Sequence, residues 1–306
     1  MDTALFITQL LNGLQLGVLL FLVAAGLTLI FGIMDFINLA HGAFYMLGAY
    51  FCGTMVALTG SFLLGVLIAI PLTAVAGYVA EVLIARTLYS RDHLDHVLAT
   101  FGLILVLDTW VHAVWGADGM AVPSPTWLDG LVPVLGAELP AYRVAIVVVG
   151  LGVALGLYLL VAKTRLGMLI RAGASNRTMV QALGVDIQKL FAIVFAIGAA
   201  MAGLAGMMIA PITEASIGMG NEIIIVAFVV IIIGGIGSIK GALIGSLIVG
   251  VIDTLGRSYL DQFLGLFMTN QFAETAAPAI SAMLIYILMA AILVIRPQGL
   301  FPPRTR

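Results

Sequence analysis

The sequence predicts an all-α fold, a polytopic transmembrane helical bundle of about nine spans in which some helices are short or broken. Three observations predict it. Hydrophobic residues make up 62% of the chain and charged residues 9%, with a mean hydropathy of +1.20, whereas soluble globular chains carry roughly 25% charged residues. Apolar runs long enough to cross a hydrocarbon core of about 30 Å, which takes about 20 helical residues, recur along the whole length. The charged residues that remain are sorted by sign, which a net charge of -2 conceals.

The apolar runs fall at about 4–33, 42–59, 61–86, 96–115, 142–162, 189–211, 223–256 and 278–296. Met1-Asp2-Thr3 lacks the basic start of a signal peptide, and the run that follows is longer than a signal core, so it reads as a retained span. The run at 223–256 is long for one span and short for two. Gly234-Gly235-Ile236-Gly237-Ser238-Ile239-Lys240-Gly241 interrupts it, and each glycine costs a continuous helix about 1 kcal/mol. A single crossing would leave Arg296, Arg304 and Arg306 outside. A hairpin with Lys240 at its cytoplasmic tip puts them inside, as the positive-inside rule favours. The expected topology is therefore nine spans, N-terminus out and C-terminus in.

That topology gathers Arg86, Arg91, Lys163, Arg165, Arg171, Arg177, Lys189, Lys240, Arg296, Arg304 and Arg306 on one side, eleven of the thirteen Lys and Arg; only Arg143 and Arg257 fall outside. The outer connections hold Asp118, Asp129, Glu138, Glu214, Glu222, Asp261 and Glu274. The extracytoplasmic loop 116–141 is proline-rich, follows directly on Trp115 and carries Trp127, so a compact ordered surface is expected, able to receive a partner; each Trp alone reads first as an interfacial anchor. The loop 163–189 is the one sizeable cytoplasmic segment, a basic handle whose single acid is Asp186. Small residues four apart, at Gly13 and Gly17, Gly152 and Gly156, Ala199 and Gly203, Ala202 and Gly206, and Ala242, Ser246 and Gly250, predict close helix packing in lipid. The lone Cys52 lies in an apolar run, cannot form an internal disulfide and reads as a small core residue.

Two interruptions stand out. Asn38-Leu39-Ala40-His41-Gly42-Ala43 and Gly237-Ser238-Ile239-Lys240-Gly241-Ala242 both follow an apolar helix and precede a small-residue helix, and both are expected to turn near the cytoplasmic face. Paired breaks point to a transport pathway, since unwound backbone at depth is tolerated only against protein or a watery cavity. Ordinary tight turns are the alternative. Thr28, Asn38, His41 and Gly42, with Gly234, Gly235, Gly237 and Ser238, are the candidate pathway residues.

Other chemistry is poorly supported. Asp108 and His112 are four apart, and Asp35, Glu81 and Asp253 lie in or near spans, so a proton-coupled carrier is the rival class. No pair converges at mid-depth by spacing. There is no helical His pair at metal-ligand spacing and no Gly-x-Ser-x-Gly turn, so no metal site and no catalytic residue is expected. Gly234 to Gly241 lacks the Gly-Lys-Ser/Thr ending of a phosphate-binding loop. No nucleic-acid partner follows from the charge.

Gly26-Leu27-Thr28-Leu29-Ile30-Phe31-Gly32, Ile37-Asn38-Leu39-Ala40-His41-Gly42-Ala43 and Met46-Leu47-Gly48-Ala49-Tyr50 closely resemble the N-terminal signature of permease subunits of branched-chain amino-acid ABC importers. The resemblance continues through Arg171-Ala172 with Asn176, Ala182-Leu183-Gly184-Val185-Asp186, the run from Gly198 to Gly206, Gly234 to Ser238, and Arg296-Pro297-Gln298-Gly299-Leu300. Ser175 stands where relatives often carry an acid. The resemblance implies that residues 1–306 form a single non-catalytic permease domain in a bacterial inner membrane. It implies that 163–189 is a coupling loop whose Arg171, Ala172, Ser175, Asn176, Ala182, Leu183, Gly184, Val185 and Asp186 engage an ATPase. The partners implied are a second related permease, two ATPase subunits that bind ATP and Mg, an extracytoplasmic solute-binding protein and the lipid bilayer; this chain needs no cofactor. Branched-chain or similar amino acids are the expected solutes, with urea, amides and small carboxylates as the alternatives within the class. The residues of the loop suit that role: Ser175 or Asn176 can cap a helix, Met179 and Leu183 share a face, and Gly184 can end the helix in a left-handed turn.

Overall fold

The computed structural model describes residues 3–134 and 136–302; Arg304 and Arg306 of the expected basic side lie outside them. The helices are α1 (Thr3–Met34), α2 (His41–Thr59), α3 (Phe62–Ala80), continued by a π-helical turn (Glu81–Ala85) and α4 (Arg86–Leu88), then α5 (His93–Trp115), α6 (Ala141–Lys163), α7 (Arg165–Ser175), α8 (Arg177–Ala182), α9 (Ile187–Thr213), α10 (Met219–Gly234), α11 (Ile239–Gly265) and α12 (Asn270–Ile295). A two-stranded antiparallel hairpin, β1 (Leu131–Val134) with β2 (Ala137–Pro140), sits in the loop between α5 and α6. In lipid the backbone must satisfy its own polar groups, which is why helix dominates.

Among the described residues eight helices are long and apolar enough to cross a membrane, and α10, with 16 residues, is a shorter ninth apolar helix. The run at 223–256 is thus a helical hairpin, with the break where the glycines put it. Three helices make the centre: 83% of the apolar stretch of α1, 67% of α2 and 78% of α9 is buried, against 22% of α5, 17% of α6 and 11% of α12. The peripheral helices present leucines and valines outward, as a lipid-facing ring must.

Glycines let the central helices touch. Gly13 and Gly17 of α1 lie on the backbone of α11 at Leu247, Gly250 and Val251, Gly48 lies against Gly203, and Gly206 against Tyr45. Gly152 and Gly156, expected to do the same, have open space beside them, and Gly150 is the α6 glycine that packs, against Val18. The spacing misled because a small residue on the lipid face has the same period as one at an interface.

The ends of the bundle separate by charge. The acidic end is tied by the bridge between Met120 and Ala215, by the Trp115 indole donating to Thr54 at 2.8 Å, and by the Tyr142 hydroxyl donating to the Met208 carbonyl at 2.8 Å. Trp127 is exposed there, in a position to anchor at an interface. At the basic end the chain after α12 folds back, and Leu300 and Phe301 donate to the carbonyls of Ile233 and Gly234, both at 2.9 Å. The α10 carbonyls, which helix geometry leaves open at a C-terminus, are thereby satisfied.

Candidate functional site

Four places at or inside the bundle are candidates: the basic handle, the two breaks and a cavity of mixed apolar and charged lining at the acidic end. The handle is built from locally capped pieces. Thr164 Oγ1 accepts from Gly167 N at 3.1 Å to start α7, and Asn176 Oδ1 accepts from Met179 N at 2.9 Å to start α8. Asp186 Oδ1 accepts from Lys189 N at 3.1 Å to start α9. The Lys189 amide and ammonium hold the Asp186 carboxyl below its usual range. Gly184 has φ +85° and the Val185 amide reaches back to the Val180 carbonyl at 3.3 Å, the left-handed stop the sequence predicts.

Of the nine coupling candidates, Arg171, Ser175, Asn176, Ala182, Leu183, Gly184 and Asp186 are exposed, and Ala172 and Val185 are half-buried. Arg171 Nη1 donates to the Val161 carbonyl and so pins α7 to the end of α6. Met179 and Leu183 are 58% and 76% exposed while Val180 is buried, so α8 stands on one residue and offers its apolar face outward.

The handle meets the bundle through side chains. The Arg177 guanidinium lies 5.5 Å from the centre of the Phe191 ring, which packs edge to face on Tyr89 at 5.1 Å. The Tyr89 hydroxyl donates to Glu81 Oε1 at 2.5 Å, and Arg86 grips the same fully buried carboxylate at 2.9 and 3.3 Å. The π turn over Glu81–Ala85 explains this pairing, because one extra residue per turn brings partners five apart onto the same face. Sequence spacing alone places Arg86 only near Glu81; the π turn carries no signal in composition.

The first break runs deeper than a surface turn. Asp35 ends α1 with φ +51°, the chain re-enters the bundle, and the His41 ring donates from Nε2 to the Val23 carbonyl at 3.1 Å. Val23 stands about 16 Å along the helix from Met34 at 1.5 Å per residue. The segment therefore starts at the basic end of the bundle, whereas α2 starts well inside it. Leu39 N donates to Thr100 Oγ1 at 3.2 Å. Thr28 Oγ1, both amide atoms of Asn38 and Nδ1 of His41 are buried with no hydrogen-bond partner. Gly42 lies on the Gly220 backbone at the start of α10.

The second break is fully tied. Ser238 Oγ accepts from Gly241 N at 3.1 Å to cap α11, Gly235 and Gly237 take φ of +104° and +83°, and Gly234 packs on Gly241. Gly237 touches Gly32, so the two breaks adjoin at the basic end.

A cavity of about 710 Å³ opens in the acidic half between α1, α10, α11 and α12, with Tyr45 of α2 beside it. Leu20, Glu214, Glu222, Asp253 and Arg257 line it. Arg257 Nε donates to Asp253 Oδ2 at 2.9 Å. None of the eight pathway candidates lines it, although Tyr45 is one turn from Gly42 and Glu222 two residues from Gly220. The i,i+4 spacing of Asp253 and Arg257 inside an apolar helix was the available signal; nothing local links it to Tyr45 or Glu222. Asp108, of the rival proton-carrier reading, accepts from Asn221 at 3.2 Å. Among the described residues no three His, Cys, Asp or Glu side chains gather to hold a metal ion.

Comparison with known proteins matches residues 9–293 to the family described as the permease component of the branched-chain amino acid transport system. The high-affinity branched-chain amino acid transport permease LivH of Salmonella typhimurium is 32% identical, over 83% of this chain and 87% of its own. The corresponding BraD of Pseudomonas aeruginosa is 29% identical over 96% and 95%. The ribose import permease RbsC of Escherichia coli is 26% identical over 81% and 77%. No solved structure matches the chain.

Proposed function

Because this chain belongs to the family of permease components of branched-chain amino acid transport systems, we propose that it is the membrane subunit of an ATP-driven importer of branched-chain or related amino acids. It performs no covalent chemistry. The bundle provides the route through a bacterial inner membrane, and α8 with its flanking residues Arg171 to Asp186 is the lever that a separate ATPase subunit, holding ATP and Mg, moves. A second related permease, two ATPases and an extracytoplasmic solute-binding protein complete the assembly. The relatives do not favour urea, amides, small carboxylates or a proton-coupled carrier.

The observation that carries the reading is α8 itself: a short helix, capped at both ends, at the basic end, with Met179 and Leu183 turned away from the bundle. Its rigidity suits force transmission, and the line from Arg177 through Phe191 and Tyr89 to Glu81 supplies a contact route from lever to spans. Reconstituting the assembled complex in liposomes and following labelled leucine tests it. ATP-dependent, binding-protein-dependent uptake supports the reading. Uptake of ribose but not leucine would move the substrate to another class.

A further inference from the structure

The cavity at the acidic end has a chemistry that the proposed role does not by itself specify. Its charged lining comes from three segments: the Asp253–Arg257 pair on α11, Glu222 on α10 and Glu214 just after α9. Leu16, Leu20, Val226 and Ile285 line the same cavity with apolar surface. The pair on α11 is unusual. The Asp253 side chain is 14% exposed, one oxygen holds Arg257 Nε and the other, Oδ1, is buried with no partner, while the Arg257 side chain is 63% exposed. An intramembrane ion pair of this kind marks substrate paths more often than it serves stability. Because Asp253 occupies only Nε, the two Nη groups of the guanidinium stay open, the fork that grips a carboxylate by two parallel bonds.

We propose that this cavity is an amino-acid station in the outer half of the permease: Arg257 takes the α-carboxylate, Glu222 takes the α-ammonium, and the walls of Leu16, Leu20 and Val226 take an apolar side chain. Asp253 is a positioning residue that orients the guanidinium. The proposal rests on reading the chain as an amino-acid permease. A volume of about 710 Å³ falls within the range of roughly 300–1,000 Å³ common to small-molecule sites and leaves room for a branched side chain. A sugar or other uncharged solute offers no carboxylate to the Arg257 fork and no ammonium to Glu222, so the lining discriminates by charge pattern as well as by shape. Tyr45 is one turn from Gly42 and Glu222 two residues from Gly220, so a solute at this station sits about one helical turn from the first break.

The test uses the assembled complex in liposomes, with labelled leucine, saturating binding protein and ATP. Arg257→Gln and Glu222→Gln are each expected to lower uptake about ten-fold or more, the loss of one charge-assisted contact, with Arg257→Lys recovering part of it. Co-purification with the ATPase subunits checks assembly. The double variant Asp253→Asn with Arg257→Gln leaves no unpaired charge, assembles without strain from that source, and is expected to stay as poor as Arg257→Gln. Wild-type uptake in Glu222→Gln and in the double variant would overturn the station while leaving the importer reading intact. Absence of ATP-driven leucine uptake by the unmodified complex would instead overturn the importer reading and the station with it.

Discussion

The handle and the first break are both polar interruptions of an apolar chain, yet they are finished in opposite ways. In the handle, each helix start and stop finds its partner: Thr164, Asn176 and Asp186 cap, and Gly184 closes the turn. In the break, Thr28, Asn38 and one nitrogen of His41 are buried without partners. A lever transmits force only if it does not yield, so satisfying its polar groups is mechanically useful. Under the proposed function the break serves as a gate, which needs a second arrangement of similar energy, and an unsatisfied buried group, which costs about 1–3 kcal/mol, raises the resting state toward one.

Four variants sharpen or break that contrast. The largest effect is expected from Met179→Asp with Leu183→Asp: co-purification of the ATPase should be lost and uptake with it, while membrane insertion persists. Retained docking would mean that the exposed face of α8 is not the contact. Gly184→Val forces a β-branched residue to φ +85° and should cut solute moved per ATP about ten-fold with the ATPase still bound, as measured in proteoliposomes. Asn38→Leu removes two orphaned polar atoms; thermal unfolding should report a stabilisation of about 1–3 kcal/mol while uptake falls several-fold. A variant that is both more stable and fully active would show that the break is passive. Asn176→Ala should cost about 1 kcal/mol of local helix stability and reduce coupling only about two-fold.

The parts legible in the sequence were those fixed locally or by charge. Lys240 set among glycines decided that 223–256 is a hairpin, since only that count keeps the arginines after α12 on the basic side, and α10 and α11 follow it. The cap at Asn176 and the stop at Gly184 were legible because capping chemistry acts over three or four residues. The depth of His41 was not: it depends on Asp35 taking φ +51° and on a carbonyl eighteen residues back. Pro133 and Pro140 suggested a compact loop, but the hairpin that makes it compact needs the Val134–Ala137 pairing, which proline-rich composition does not announce. The cavity was the least visible, because Tyr45, Glu222 and Arg257 come from three helices whose proximity is a property of the packed bundle.

The contrast between a stiff lever and a poised gate presumes that the chain moves solute only when something else moves it. The most direct measurement compares labelled leucine transport by the purified subunit alone, under an imposed pH gradient, with transport by the assembled complex given ATP. The account predicts no net movement in the first case and accumulation in the second, abolished when the ATPase is inactivated. Sustained accumulation by the lone subunit without ATP would contradict it.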